Sequence, residues 1–265
     1  DLLNMIVDVH LHCGYSFGWF NYNNKLEDLI DLMDKLHIKF ALNNNSRGLS
    51  YGDYEGEARE DIEIYEKTKG RIMSYFTYNP FTIEKCLDVI DRYYDNKVFK
   101  GIKIHPASHQ IYAYDDDYDN VWKYASDNNI IILSHTWDIS MTNPVQKYAF
   151  PLHFEKYLMK YPDVKFICGH SGGRYKGIKE AVKLAKKYKN FFLDTAGDIY
   201  ANGFVESLVN EVGSDRVLYG SDYTMMDQRN MLGIVLGADI KLEDKDNILF
   251  KNALDLFKID IENGR

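Results

Sequence analysis

The stretch Met5-Ile6-Val7-Asp8-Val9-His10-Leu11-His12 combines β-branched residues with a polar residue at every second place from Asp8 onward. Runs of this length and composition are typical of buried β-strands. Strand alternation would point Asp8, His10 and His12 to one face and the valine and leucine side chains to the other. Apolar residues then recur at helical spacing over residues 26–36, which predicts an amphipathic helix. The chain therefore starts with a strand followed by a helix, the unit from which parallel sheets are built.

The same order of elements recurs along the whole sequence. The strand candidates lie at residues 5–12, 38–42, 72–78, 98–105, 130–135, 164–170, 191–195 and 217–222. Helix candidates follow at residues 26–36, 58–69, 83–94, 118–128, 152–160, 178–188, 204–212, 226–235 and 246–257. Eight strand and helix units need about 200 to 250 residues, and the chain has 265.

These elements predict an α/β fold, the (β/α)8 TIM barrel. An open doubly wound sheet would also alternate strands and helices, but no GxGxxG follows the first strand to indicate nucleotide binding. No linker rich in serine, glycine or proline marks a domain boundary. We therefore expect a single domain over residues 1–265.

The composition excludes several classes of protein. The chain has 32 Lys+Arg against 40 Asp+Glu, a formal net charge of −8, which disfavours nucleic acid as a partner. No apolar run approaches the ~20 residues of a membrane helix. Three cysteines without a CxxC pair argue against a disulfide framework. We expect a soluble, cytoplasmic protein with a small-molecule substrate and no nucleic-acid or membrane partner; a homo-oligomer is possible.

Side chains that can bind a metal end four of the strand candidates. They are His10, His12, His135, His170 and Asp222. A single histidine or aspartate at a strand end is commonly a cap or a surface residue, but chance would rarely place this whole set at the same end of four strands. The carboxyl ends of the strands are also where a barrel builds its active site. The pattern therefore predicts a metal site, and imidazole and carboxylate ligands suit zinc.

Three further residues are candidates for binding the substrate. Lys103 and His105 share one face of the fourth strand, and Lys103 could hold a substrate carboxylate as a point charge. His105 is either a substrate contact or extra ligand, or part of a segment that only positions a loop. Arg47 could bind a carboxylate bidentately, or it is simply solvated.

The loop after the first strand is rich in aromatic residues. It contains Tyr15, Phe17, Trp19 and Phe20. These side chains would line or cover a pocket, or pack without a functional role.

As a set, these motifs resemble the amidohydrolase superfamily. The resemblance is carried by the HxH of His10 and His12, by His135, by the segment GHSGG at 169–173 and by GSD at 220–222. The GHxGG and GSD forms are similar to the branch that contains 2-amino-3-carboxymuconate-6-semialdehyde decarboxylase. The resemblance covers nearly the whole chain and implies a metal-bearing barrel.

The same resemblance implies roles for individual residues. One Zn²⁺ or similar divalent ion would be held by His10, His12, His135 and Asp222. Asp222 and His170 would act as the catalytic groups that transfer protons. In binuclear members the histidine of the sixth strand binds a second metal and a lysine of the fourth strand can become a bridging carbamate, a place that Lys103 matches. We favour one ion over two.

From these features we expect an enzyme, a metal-dependent hydrolase of a small amide, ester or lactone that uses metal-activated water. The alternative is a metal-dependent decarboxylase or hydratase of a small carboxylic acid. A metal-bearing binding protein without turnover and a nuclease similar to the TatD group are weaker hypotheses. Release of carbon dioxide without hydrolysis of amides or lactones would select the decarboxylase.

Overall fold

The computed structural model describes residues 5–14 and 25–261. Within them eight strands pair in chain order, each parallel to the next, as one sheet. The strands are β1 Ile6–Leu11, β2 Ile38–Asn43, β3 Ile72–Thr77, β4 Phe99–Ile104, β5 Ile131–His135, β6 Phe166–Gly169, β7 Phe191–Asp194 and β8 Val217–Leu218. The predicted TIM barrel is confirmed.

Helices follow the strands and surround the sheet. They are α1 Leu26–Lys35, α2 Arg47–Tyr51, α3 Tyr54–Lys67, α4 Ile83–Tyr93, α5 Pro106–His109, α6 Asp119–Asn128, α7 Glu155–Lys160, α8 Tyr175–Lys187, α9 Phe204–Val212, α10 Gln228–Gly237, α11 Leu242–Asp246 and α12 Asn252–Phe257. In the part of the chain that the structure describes, no helix has the length and apolar character needed to cross a membrane.

The barrel is closed by the segment that follows β8. The Val9 amide donates to the carbonyl oxygen of Tyr219 at 2.9 Å, and the Asp222 amide donates to that of His10 at 2.8 Å. The strand candidate at 217–222 is therefore a strand only at its start, and its second half leaves strand geometry while it still bonds to β1. This closure places Asp222 directly beside His10.

Apolar side chains fill the interior of the barrel towards its amino end. The inner cluster comprises Val7, Val9, Phe40, Leu42, Met73, Tyr75, Ile131, Leu133, Ile167 and Leu218, with Ala253, Leu256 and Phe257 of α12. Burying one such large side chain contributes about 1.5–3 kcal/mol to folding. The interior becomes polar towards the carboxyl end, where His10, Lys103 and Asp194 are buried.

Strict alternation of side chains does not describe β1. Its pairing with β2 shifts register between Asp8 and Leu11. Val9 accordingly packs in the inner cluster while the next residue, His10, still reaches Lys103 across the barrel. Asp8 accepts hydrogen bonds from the Ser221 amide at 3.0 Å and from Gln228 of α10 at 3.1 Å. The prediction that the side chains of Asp8 and His10 point to the same face of the strand is therefore wrong.

Candidate metal centre

Three of the predicted ligands meet at the carboxyl end of the barrel. Oδ1 of Asp222 lies 3.2 Å from Nε2 of His12 and 3.9 Å from Nε2 of His10. One donor atom from each of these residues lies within 4.8 Å of the others. Two imidazoles and a carboxylate in this arrangement form a donor set for a divalent cation.

The second ring nitrogen of each histidine fixes its tautomer. Nδ1 of His12 donates to the carbonyl oxygen of Asn44 at 2.8 Å, and Nδ1 of His10 donates to Oδ2 of Asp194 at 2.8 Å. Each Nε2 therefore presents a lone pair, as metal-binding histidines require. At His12 this lone pair faces an oxygen of Asp222, an arrangement that a shared cation or a proton would stabilise.

Asp194, at the end of β7, is a site residue that the sequence patterns did not reveal. Besides His10, it accepts a hydrogen bond at 2.6 Å from the backbone amide of His170. Burial raises the pKa of Asp194 to about 6. A signal for it was present, because this aspartate ends an apolar run in the way that Asp222 does.

Two site residues have left-handed backbone conformations that non-glycine residues rarely adopt. Asp222 has φ +60° and His170 has φ +63°. Such conformations cost of order 1–3 kcal/mol and cluster at functional sites. At Gly220 a Cβ would lie 2.9 Å from Cβ of His10, so glycine is needed to bring the closing segment this near to β1.

His135 does not join the three ligands. Its Nε2 donates to Oε1 of Gln146 at 2.8 Å, and its Nδ1 accepts from Nε2 of His170 at 3.1 Å. A second group of three possible ligands consists of His10, His170 and Asp194. The described residues thus bring together three of the four predicted ligands and place His135 against His170.

The three predicted substrate-binding residues lie in different surroundings. Lys103 is buried, and its Nζ donates to Nε2 of His10 at 3.0 Å. Nδ1 of His105 accepts from the Ser108 amide at 3.2 Å and caps α5, and the ring stacks on that of His135 at 4.2 Å. His105 thus positions a loop while it also lines the cavity.

Arg47 lies apart from these residues. Its guanidinium pairs with Glu60 at 3.2 Å and with Asp53 at 3.5 Å. It is not among the described residues that line the cavity.

Burial sets the protonation states of the site. It lowers the pKa of His10 well below its usual value, that of His135 to about 3 and that of His170 to about 4. It also lowers the pKa of Lys103 to about 8. Burial alone would raise the pKa of Asp222, but its contact with Nε2 of His12 and the neighbouring rings of His170 and His10 hold that pKa well below its usual range. Neutral imidazoles and an ionised carboxylate are the forms that bind a metal.

These groups border a cavity of about 820 Å³. Its described lining residues outside the metal centre include Leu49, Trp137, Gln146, Arg174, Asp198 and Met226. No sequence pattern singled out Trp137 or Arg174. The aromatic residues Tyr15, Phe17, Trp19 and Phe20 lie outside the described residues.

A parallel eight-stranded barrel with histidines and an aspartate at its carboxyl end defines the class of metal-dependent TIM-barrel enzymes. A profile of the amidohydrolase family matches residues 7–259. The chain therefore belongs to the amidohydrolase family, and the resemblance to the branch with 2-amino-3-carboxymuconate-6-semialdehyde decarboxylase is confirmed.

A relative of the chain is a decarboxylase. The chain is 26% identical over 151 residues to a gamma-resorcylate decarboxylase from Polaromonas sp. strain JS666, an alignment that covers 50% of this chain and 45% of that protein. The chain thus spans less than half the length of this relative.

Solved structures show the same fold. A 2,6-dihydroxybenzoate decarboxylase in complex with 2,6-dihydroxybenzoate matches with a TM-score of 0.76 and 14% identity, over 97% of this chain and 100% of that one. A dihydroxybenzoic acid decarboxylase from Polaromonas sp. JS666, with bound manganese and the inhibitor 2-nitroresorcinol, matches with a TM-score of 0.72 and 16% identity, over 98% and 99% of the two chains.

These relatives correct two expectations. The expectation of a hydrolase is wrong, because the relatives named here are decarboxylases of aromatic acids, and the alternative of a decarboxylase fits better. The error arose because the metal ligands are common to both reactions. A divalent metal is supported by the manganese of the relative and by the His and Asp cluster, but zinc is not.

Proposed function

We propose that the chain is a metal-dependent decarboxylase of a small aromatic carboxylic acid. The observation that carries the metal dependence is the cluster of His10, His12 and Asp222, which lines the cavity with His170 beside it. The decarboxylases among the relatives support the type of reaction. An aromatic wall at Trp137 and a cavity volume of about 820 Å³ suit a small ring.

The residues present fit a divalent ion. His10, His12 and Asp222 would hold it, and we propose a single Mn²⁺ or similar ion, with His135 as a fourth ligand if its ring turns away from His170. When bound, the ion supplies positive charge that stabilises an anionic substrate oxygen.

Decarboxylation breaks the bond between the ring carbon and the carboxylate, and carbon dioxide leaves while the ring carbon takes up a proton. We assign that proton transfer to Asp222, because this carboxylate faces the cavity beside the metal ligands. The surroundings keep Asp222 ionised in the free protein, so it must first take up a proton, which an ionisable hydroxyl group of the bound substrate supplies. His170 exchanges protons with the reacting group, and Lys103 and His105 contact the substrate.

The test measures carbon dioxide release by the purified, Mn²⁺-loaded protein from a panel of mono- and dihydroxybenzoic acids and of hydroxylated benzenedicarboxylic acids. We expect turnover of at least one acid, with loss of activity after chelation and recovery when Mn²⁺ is restored. In D2O the product should carry one deuterium at the carbon that held the carboxylate. Asp222→Asn should reduce the rate by about 10²-fold or more, whereas the exposed variant Asp163→Asn should retain it.

Two results would contradict the proposal. One is a folded, metal-loaded protein that releases no carbon dioxide from any acid of the panel. The other is turnover that survives the removal of metal or the Asp222→Asn substitution.

A further inference from the structure

A second polar group lines the same cavity as the metal ligands. It consists of Arg174, Trp137 and Asp198. The guanidinium carbon of Arg174 lies 4.9 Å from the centre of a Trp137 ring. The same guanidinium donates to the backbone oxygen of Asp198 at 2.9 Å and to its Oδ2 at 2.8 Å. Stacking and two hydrogen bonds hold this arginine in one orientation.

Trp137 is itself fixed by the backbone beside it. Gly173 has φ +76°, and a Cβ there would lie 2.4 Å from Cδ2 of Trp137. Gly197 has φ +96°, and a Cβ there would lie 3.3 Å from Cζ3 of the same ring. The indole therefore packs against Gly173 and Gly197, two residues whose backbone conformation and close contact with the ring favour glycine.

The chain links this group to the metal centre. Gly173 donates its amide to the backbone oxygen of His170 at 2.7 Å. The ring centre of Trp137 is 6.1 Å from that of His135 and 5.4 Å from that of His170. The indole ring of Trp137 thus lies between the guanidinium of Arg174 and the histidines of the metal centre.

The charged side chains that line the cavity indicate which kind of ligand this group would bind. Among the described residues that line the cavity, the cationic side chains are Lys103 and Arg174. Lys103 contacts His10 at the metal end. An acidic substituent at the other end of a substrate would therefore meet Arg174. Arginine carries five N–H groups, and two of them serve Asp198, so others are available to an incoming carboxylate.

We propose that Arg174, stacked on Trp137 and oriented by Asp198, binds a second carboxylate on the aromatic ring of the substrate. The inference rests on the proposed function and narrows its substrate class to aromatic diacids. The carboxylate that is lost lies at the metal centre, and the one that is kept lies against Arg174.

Two ligand pairs test this subsite. For turnover, 4-hydroxyisophthalate is compared with 2-hydroxybenzoate, which lacks the second carboxylate. For binding alone, isophthalate is compared with benzoate by calorimetry on the Mn²⁺-loaded protein. The wild-type chain should favour the diacid of each pair.

The variant Arg174→Gln should raise KM for the diacid about tenfold or more, the loss expected for one hydrogen bond between charged groups. It should leave kcat and the KM of the monoacid within about twofold. Arg174→Lys should recover part of the diacid affinity, because it restores the charge without the planar fork. The exposed arginine variant Arg59→Gln is the matched control and should change nothing.

The outcomes separate the two proposals. If no acid of the panel is turned over but isophthalate binding depends on Arg174, the decarboxylase proposal fails and the subsite stands. If Arg174→Gln affects diacid and monoacid equally, or neither of them, the subsite is overturned whatever the rate of decarboxylation.

Discussion

Asp194 connects two histidines of the site through one carboxylate. Its Oδ2 accepts from the ring of His10, and its Oδ1 accepts from the backbone amides of His170 and Ala196. It is not among the described residues that line the cavity, so it acts through these partners as a positioning residue. Its contact decides which nitrogen of His10 carries the proton and which one faces the metal site.

We predict that Asp194→Asn lowers the affinity for Mn²⁺ by about 10- to 100-fold, the usual cost of losing the partner of a metal-binding histidine. The asparagine can no longer ensure that Nδ1 of His10 is the protonated nitrogen. Metal titration followed by calorimetry measures the change, with Asp163→Asn as control. Unchanged affinity in Asp194→Asn would show that the carboxylate does not set the tautomer.

Gly173 is a second residue whose substitution should have a clear effect. Its left-handed backbone and its contact with Trp137 leave no room for a methyl group. We predict that Gly173→Ala destabilises the fold by about 1–3 kcal/mol, the range for non-glycine residues in such conformations. It should also change the tryptophan fluorescence, because the indole must move.

The control for this variant is Gly233→Ala in α10. Nothing lies within 4 Å of a Cβ at Gly233. Alanine should stabilise this helix by about 0.5–1 kcal/mol. Urea unfolding measures both variants, and equal effects at the two glycines would contradict the role given to Gly173.

At the scale of elements, α3 holds the loops that follow β2 and β3. Glu57 accepts from the amide of Gly48 at 2.6 Å and from that of Thr77 at 3.0 Å. One turn later, Oδ1 of Asp61 accepts from the side chain of Asn43 at 3.0 Å. Both carboxyls are buried, and burial raises the pKa of Glu57 to about 7 and that of Asp61 well above its usual value. The loops that border the cavity therefore depend on buried acids of a helix outside the barrel.

This arrangement predicts how stability changes with pH. The folded state keeps a proton on Asp61 that the unfolded chain loses near 3.8, the ordinary pKa of an aspartate. At Asp61 the folded chain therefore binds more protons than the unfolded chain, so the contribution of this residue to stability falls as pH rises above about 4. Asp61→Asn mimics the protonated form, so it should equal the wild type near pH 4 and exceed it in stability at pH 8.

Urea midpoints of both chains between pH 4 and pH 9 provide the measurement. A difference that stays constant over this range would mean that Asp61 does not titrate differently in the folded state. Asp31→Asn, on the exposed face of α1, provides the control, and it should follow the wild type at every pH.

Considered as a whole, the molecule is a barrel whose first strand and final segment meet at the metal centre. His10 and His12 belong to β1 and its end, while Asp222 belongs to the segment that closes the barrel. A metal bound to all three would join the two edges of the sheet. Binding to the folded state alone must therefore stabilise the entire barrel.

We predict that Mn²⁺ at 100 times its Kd raises the free energy of unfolding by about 2.7 kcal/mol. Thermal unfolding with Mn²⁺ and with a chelator measures the shift in Tm. Asp222→Asn should lose most of the shift. A shift of the same size in that variant would place the stabilising metal elsewhere.

The barrel could be predicted from sequence because its signals are local. Apolar strand candidates and helical spacing are each complete within a few residues, and seven of the eight strand candidates end within three residues of the observed strands. The eighth failed at 219–222, where the chain closes the barrel without strand geometry. Its position there depends on β1, which lies about 200 residues earlier in the chain.

Site residues could be predicted only where a side chain that can bind a metal lies at the end of a predicted strand. His10, His12 and Asp222 met that condition and lie together. The contact of His135 with His170 and Gln146, and the stacking of Arg174 on Trp137, depend on loops whose course no local pattern shows. The reaction was misjudged for a related reason, since substrate choice resides in those loops.

The closure at β1 also has a consequence for the synthesis of the protein. Asp222 follows His12 by 210 residues, so both histidines leave the ribosome long before their partner has been translated. The three donors can assemble only after the eighth unit of the barrel has been made. A nascent or shortened chain that stops before Asp222 would offer two of the three donors, and tight metal uptake would thus mark the completed chain.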